Sequence, residues 1–218
     1  FEGFPQYTTE GAKPTSHYIP RFRNVYRQET DFLRGYAAGF GAQPNRETNK
    51  EGFGAELSNQ LLSTKETGVW NVNSHMMGET IPKESNLVSL DQEKTDAWGI
   101  PLLNIDVDYD GNDEKMIQDF YEQFSEMYEK SGFVNIKTND NGRRPGNDIH
   151  EMGGVRMGKN PKTSLLNAWN QMHECKNVFV TDGACMTSTS TQNPSLTFMA
   201  ISARAANYAI RQMKKGLI

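Results

Sequence analysis

Two segments of the sequence have the side-chain spacing of a long helix, and they restrict the folds that this chain can adopt. Residues 113–130 repeat apolar side chains at helical spacing, and Lys130 followed by Gly132 is a stop signal. In the second segment, 194–214, Pro194 is predicted to be the first helical residue and Asn193 its N-cap. Small residues in this segment would allow close packing against another backbone, namely Ala200, Ser202, Ala203, Ala205, Ala206 and Ala209.

Most of the remaining chain has the pattern of short strands and turns. The predicted strands are 69–77, 86–90, 100–109, 133–137 and 178–181, with 91–96 as a polar connection. Glycine and proline punctuate residues 1–68, which read as loops with short strand-like pieces, and residues 35–41 resemble a sheet edge or a lid. The pattern predicts an α+β fold, with a sheet-plus-helix domain over 1–144 and a C-terminal segment over 145–218 that belongs to another unit.

Composition excludes several classes of function. The net charge is −4 and there is no basic tract, so a nucleic-acid partner is not expected. The apolar runs are too short for a transmembrane segment. Cys175 and Cys185 have no His or Cys at ligand spacing, so no metal site is predicted and both are expected to be small buried thiols. The sequence also lacks a G-x-G-x-x-G strand-to-helix turn, so a main dinucleotide site would lie outside it.

His150 and Asn193 are the candidate catalytic residues. An imidazole that is neutral near pH 7 can take the proton of an alcohol, and His150 stands before the Gly153-Gly154 turn. A lone His before two glycines is, however, more often structural. Asn193 has two compatible readings, an ordinary helix cap or a carboxamide that binds a substrate oxygen beside a helix N-terminus. Local sequence does not decide between them.

Asp182-Gly183 is a weaker candidate for cofactor contact. It follows the predicted strand 178–181, and ligands often bind beyond the carboxyl ends of strands. The alternative is a simple turn, because Asp-Gly is a common turn pair. The other histidines are predicted to be structural or exposed, with His17 and His75 in strand or loop context and His173 at the surface.

Three ordered segments resemble the C-terminal part of the glucose–methanol–choline (GMC) family of flavin oxidoreductases. They are His150 before the Arg156-Met157-Gly158 turn, the run 178–183 (Val-Phe-Val-Thr-Asp-Gly), and Asn193-Pro194 before the alanine-rich helix. The stretches 78–82, 86–90 and 98–101 resemble the substrate-domain sheet of the same family. Within the family, the chain looks like the branch of gluconate and glucoside 3-dehydrogenases.

The resemblance implies a fold and a set of roles. The substrate domain would be a mostly antiparallel sheet with helices on one face, followed by a strand and a long helix that complete an FAD domain missing from this chain. His150 would be the catalytic base and Asn193 its partner on the substrate hydroxyl. Asp182, Gly183, Asn193 and Pro194 would border FAD. Gly154 stands where Thr is usual in the family.

The same resemblance implies how such a protein would function. It would oxidise a sugar, a sugar acid or another alcohol and pass electrons to a cytochrome or quinone rather than to oxygen. A periplasmic location is suggested by the family alone, and the fragment by itself is expected to be inactive. The alternative is a carbohydrate-binding fragment without turnover, in which aromatic side chains stack on sugars. The candidates for such stacking are Tyr18, Tyr36, Phe40 and Trp70.

Overall fold

The computed structural model describes residues 17–44, 53–63, 70–140, 145–146 and 149–218. Its larger sheet has three antiparallel strands in the order β1 (His17–Phe22), β2 (Tyr36–Pro44) and β3 (Trp70–Gly78). The prediction of a sheet edge or lid at residues 35–41 was wrong, because β2 is the middle strand. Its Gly39 and Gly41 let the His75 and Asn73 side chains of β3 lie across it.

One face of this sheet is covered by helix α2 (Gly111–Lys130), which confirms the helix predicted at 113–130. Phe120 and Phe124 of α2 pack against Tyr36 of β2, with ring centroids 5.7 Å apart for Phe120 and Tyr36 and 4.3 Å apart for Phe120 and Phe124. These rings are almost fully buried. The α2 face of the sheet is therefore the hydrophobic core of the described part of the chain.

A capping box fixes the start of α2. The Asp110 carboxylate accepts hydrogen bonds from the backbone N–H groups of Asn112 at 2.9 Å and Asp113 at 3.4 Å. The Asp113 carboxylate accepts one from the Asp110 N–H at 3.1 Å. These bonds satisfy donors that have no partner within the helix.

A second, two-stranded sheet is a hairpin of β4 (Leu87–Thr95) and β5 (Pro101–Asp106). The prediction that 91–96 forms a connection was wrong up to Thr95. Every residue of the hairpin is exposed or only half-buried, so polar side chains are tolerated on it. The turn begins at Asp96, whose carboxylate accepts hydrogen bonds from the N–H groups of Trp98 and Ile100.

Two predicted strands are absent from the structure. Residues 133–137 form none, because Asn135 has a φ of 58° and turns the chain out of an extended path. Residues 178–181 form only an isolated bridge from Phe179 to Gln171, and Val178 is 38% exposed. Asn170 has a φ of 63°, which ends the pairing after one bridge. Residues 164–176 form turns and isolated bridges and no helix.

The C-terminal helix α3 (Ser195–Lys214) is present, and α1 (Ala55–Ser63) was not anticipated. Two antiparallel sheets and a helix on one sheet face confirm the α+β class. The predicted domain boundary after residue 144 falls next to residues that the structure does not describe, 141–144 and 147–148. The boundary therefore stays a prediction. No helix within the described ranges is long and apolar enough to cross a membrane.

Candidate functional site

The face of the larger sheet that points away from α2 carries small and polar residues. Because side chains alternate along a strand, Tyr36 and Ala38 point to the core while Ala37 and Gly39 point the other way. Tyr18 of β1 and His75 of β3 both pair with Gly39. A Cβ at Gly39 would lie 2.4 Å from the His75 Cε1 atom. The imidazole therefore lies directly on the backbone of β2, which only glycine allows.

Residues 188–192, named here the anchor loop, bind along β1 of this sheet. The Thr191 hydroxyl donates to the Pro20 carbonyl at 3.2 Å, and the Gln192 amide donates to the same carbonyl. The Tyr18 hydroxyl lies 3.1 Å from both the Thr191 carbonyl and the Gln192 Oε1 atom. Burial raises the pKa of Tyr18, so its hydroxyl remains a donor. The loop thereby places Asn193 next to the sheet.

The anchor loop is also bonded to a buried acid at the end of β3. Ser188 Oγ donates to Glu79 Oε1 at 2.8 Å. The guanidinium groups of Arg21 and Arg34 lie 3.6 Å and 3.7 Å from the Glu79 carboxylate. The side chain of Glu79 is only 7% exposed. Sequence reasoning missed this group, although Glu79 stands two residues after the predicted strand 69–77.

Asn193 does not cap helix α3, and the prediction that it would was wrong. The N-cap position is Pro194, with φ −91° and ψ 2° and no side-chain hydrogen bond. Asn193 is exposed, and its carboxamide makes no hydrogen bond with any residue that the structure describes. The bonds of Thr191 and Gln192 to β1 decide where the chain enters the helix. The carboxamide is consequently available to a ligand.

The segment that follows His150 runs beside residues 183–186. The N–H of Val155 donates to the Ala184 carbonyl at 2.9 Å, and the N–H of Met157 donates to the Cys185 carbonyl at 3.0 Å. A Cβ at Gly183 would lie 2.9 Å from the Met152 sulfur, so this glycine permits the packing. His150 is half-buried, and its imidazole makes no hydrogen bond within the described ranges. The segments that carry His150 and Asn193 are thus joined through residues 183–186.

Asp182 performs a local structural task. Its carboxylate accepts a hydrogen bond from the Ala184 N–H at 2.9 Å and caps the single-turn 3₁₀ helix Gly183–Cys185. The residue itself is exposed. This geometry agrees with the alternative of a simple turn at Asp182-Gly183. Contact of these residues with a cofactor stays a prediction.

Several weaker expectations need correction. His173 is not simply at the surface, since its Nε2 lies 3.2 Å from Ser164 Oγ at a partly buried position. Cys175 is exposed, and Cys185 alone is buried. Burial raises the pKa of the Cys185 thiol. No cluster of His, Cys, Asp or Glu suited to a metal ion occurs in the part of the chain that the structure covers.

Two of the aromatic residues that were candidates for sugar stacking, Tyr36 and Phe40, pack in or against the core. Tyr36 is fully buried in the core, and Phe40 stacks on Phe124 at 5.4 Å between centroids. The side chain of Trp70 lies outside the described residues. Tyr18 is partly exposed but bonded to the anchor loop. The rings of Tyr36 and Phe40 therefore pack with the core and do not form an exposed stacking surface.

Comparison with known proteins identifies the class. A family model described as GMC oxidoreductase matches residues 82–202, more than half of the 218-residue chain. The chain therefore belongs to the GMC oxidoreductase family, as the sequence motifs predicted.

Three individual relatives are similar to this chain over part of their length. The chain is 32% identical over 198 residues to 2-methyl-1,2-propanediol dehydrogenase of Mycolicibacterium austroafricanum, covering 84% of this chain and 35% of the relative. It is 27% identical to the fructose dehydrogenase large subunit of Gluconobacter japonicus, covering 87% and 35%. It is 30% identical to paromamine 6'-oxidase of Streptomyces fradiae, covering 57% and 23%. The chain thus spans about a third of the length of the first two relatives.

Proposed function

We propose that this chain is the substrate-side part of an FAD-dependent oxidoreductase that oxidises a CH–OH group of a sugar, a sugar acid or another alcohol. One observation carries the proposal. His150 and Asn193 present an imidazole and a carboxamide with no hydrogen-bond partner among the described residues, on segments joined through 183–186. The named relatives, a diol dehydrogenase and a fructose dehydrogenase, support alcohol donors.

The two residues divide the work on one hydroxyl group. His150, as the general base, takes the hydroxyl proton. Asn193 donates a hydrogen bond from its carboxamide to the same oxygen and holds it against the base. As the C–O bond becomes a carbonyl, the carbon loses a hydride. Bound FAD would supply the acceptor for that hydride.

The start of α3 fits the FAD that the family implies. The helix has no side-chain cap and no acid in its first turn. Its N–H groups and partial positive charge can therefore face a group that becomes more negative on reduction. Asn193 and Pro194 border this position, and Asp182 and Gly183 are the other residues that we assign to the cofactor's edge. Residues 1–144 would form the substrate domain, and 145–218 would return to the FAD domain.

The electron acceptor is proposed to be a cytochrome or quinone rather than oxygen. The dehydrogenases among the relatives support this choice, whereas paromamine 6'-oxidase is named as an oxidase. Oxygen consumption during turnover tests it. Reoxidation of the reduced flavin by a quinone, with little hydrogen peroxide formed, is the expected result, and rapid peroxide formation would contradict it.

The activity itself is tested with the complete gene product under anaerobic conditions. Flavin absorbance is followed while glucosides, aldonates, ketohexoses and simple diols are added in turn. Bleaching by one class would support the proposal and name the substrate type. Bound flavin that no member of the panel bleaches, together with retained sugar binding, would instead favour the binding fragment without turnover.

A further inference from the structure

Glu79 is a buried acid whose partners come from three separate parts of the chain. It directly follows β3, and its backbone N–H donates to the Gly35 carbonyl at 3.2 Å. Its carboxylate accepts from Ser188 Oγ at 2.8 Å and faces Arg21 and Arg34. A carboxylate removed from water in this way must be compensated, and these partners supply two positive charges and one strong donor.

The bond between Glu79 and Ser188 extends into the anchor loop. Ser188 Oγ, while donating to Glu79, accepts from the Ser190 N–H at 2.9 Å. Arg21, which pairs with Glu79, also lies 3.5 Å from Ser190 Oγ. Ser190 has a φ of 60°, a left-handed conformation that a non-glycine residue adopts at some cost. These bonds therefore hold the backbone of the anchor loop in the left-handed conformation at Ser190, three residues before Asn193.

We propose that Glu79 is a positioning residue that fixes the anchor loop on the sheet and thereby sets the place of the Asn193 carboxamide. This inference rests on the proposed function. Glu79 touches Ser188 and the two arginines and contributes through the loop alone. Its negative charge retains Arg21 and Arg34, and its Oε1 atom retains Ser188. Without it, Thr191 and Gln192 would still bond to Pro20, but the first half of the loop would lose its side-chain tie to β3.

The opposite face of the sheet offers a matched control. Asp119 of α2 makes a bidentate pair with Arg23, at 2.9 Å and 2.8 Å, and accepts a hydrogen bond from the Tyr36 hydroxyl at 2.7 Å. This is also an acid paired with an arginine next to the sheet. It touches the core and no residue of the anchor loop. Replacing Asp119 should remove an acid–arginine pair, closer than the pairs of Glu79, without touching the anchor loop.

The experiment compares Glu79→Gln and Asp119→Asn in the complete flavin-loaded gene product. Hydrogen exchange is measured at the amides of the anchor loop, and the limiting rate of anaerobic flavin reduction is measured with a bleaching substrate. In Glu79→Gln we expect faster exchange in the anchor loop and a limiting rate lower by up to about tenfold, because displacing the Asn193 carboxamide costs no more than removing it. In Asp119→Asn we expect a lower unfolding midpoint with the parent's rate and loop exchange.

A second pair of variants covers the case in which Glu79→Gln does not fold. Ser188→Ala removes the donor, whereas Ser188→Thr keeps a hydroxyl, so the first should reproduce the loss and the second should restore most of the rate. Unchanged loop exchange, or a rate loss no greater than that of Asp119→Asn, would overturn the proposal. If no alcohol reduced the flavin of the parent protein, the proposed function would be contradicted instead. Hydrogen exchange at the amides of the anchor loop would still decide whether Glu79 holds the loop.

Discussion

The two faces of the three-stranded sheet are built from alternate residues of the same strands. They differ in what they contact. On the α2 face, Tyr36 and Ala38 are fully buried against the aromatic rings of the helix. On the other face, Gly39 leaves room for the His75 imidazole, and the anchor loop bonds to β1. The strand β2 therefore packs Tyr36 and Ala38 into the core, while Ala37 and Gly39 face away from α2.

The ion pairs on the two faces of the sheet have different consequences. The pair of Asp119 and Arg23 fastens a helix to the sheet. The group around Glu79 fastens a loop that leads to Asn193. Substitutions on the α2 face should lower stability and leave the chemistry of folded molecules intact. Substitutions around Glu79 on the other face should slow the chemistry of folded molecules.

The largest expected effect belongs to the core. Phe120→Ala removes a buried ring that contacts Tyr36 and Phe124, and such truncations cost about 3–5 kcal/mol of the free energy of unfolding. Urea unfolding of the complete gene product measures this loss. The rate of flavin reduction per folded molecule should match the parent, and a large fall in that rate would break the division between the faces.

His150→Ala should slow anaerobic flavin reduction by about a hundredfold or more, because the alcohol loses its general base. A hundredfold corresponds to about 2.7 kcal/mol of activation free energy. His150 makes no hydrogen bond with a described residue, so the unfolding midpoint should change little. Stopped-flow absorbance gives the rate, and a value within a few-fold of the parent would remove His150 from the proposed mechanism.

Asn193→Ala should slow flavin reduction by about tenfold, the equivalent of roughly 1.4 kcal/mol for one hydrogen bond to the reacting oxygen. Because Asn193 does not cap α3, the free energy of unfolding should stay within about 0.5 kcal/mol of the parent. Reduction kinetics and urea unfolding of the same preparation separate the two quantities. A loss of about 1 kcal/mol of stability would instead indicate a helix cap.

Asp110→Ala should cost about 1 kcal/mol of stability through loss of the α2 capping box, with no change in flavin reduction. Asp110→Ser is the matched control, since a serine hydroxyl can accept the same backbone hydrogen bonds. Thermal unfolding of both variants checks the difference. Equal midpoints for the alanine and serine variants would show that the cap contributes nothing measurable.

Local patterns in the sequence predicted the elements that depend on interactions between residues close together in the chain. Helix α2 follows from the periodic apolar residues around Phe120 and Phe124, and the family motifs around His150 and Asn193 were confirmed at the level of the family. The predicted strand at 178–181 failed because an apolar run forms a strand only when a partner strand is available.

The parts that could not be predicted depend on contacts between distant positions. Tyr18 meets Thr191 across 173 positions of the chain, and Glu79 meets Ser188 across 109. These contacts also moved the start of α3 past Asn193, where the local capping preference favours Asn. In the sequence, the only trace of the anchor loop is a polar run of Ser and Thr before Asn193, which resembles an ordinary surface loop.

A double-mutant cycle tests whether His150 and Asn193 act on the same hydroxyl group. The rate of anaerobic flavin reduction is measured for the parent, both alanine variants and the double variant, with one bleaching substrate. We expect the double variant to reduce flavin about as slowly as His150→Ala alone, because the effects of residues that act as a unit are not additive. A double variant whose loss equals the product of the two single losses would contradict it.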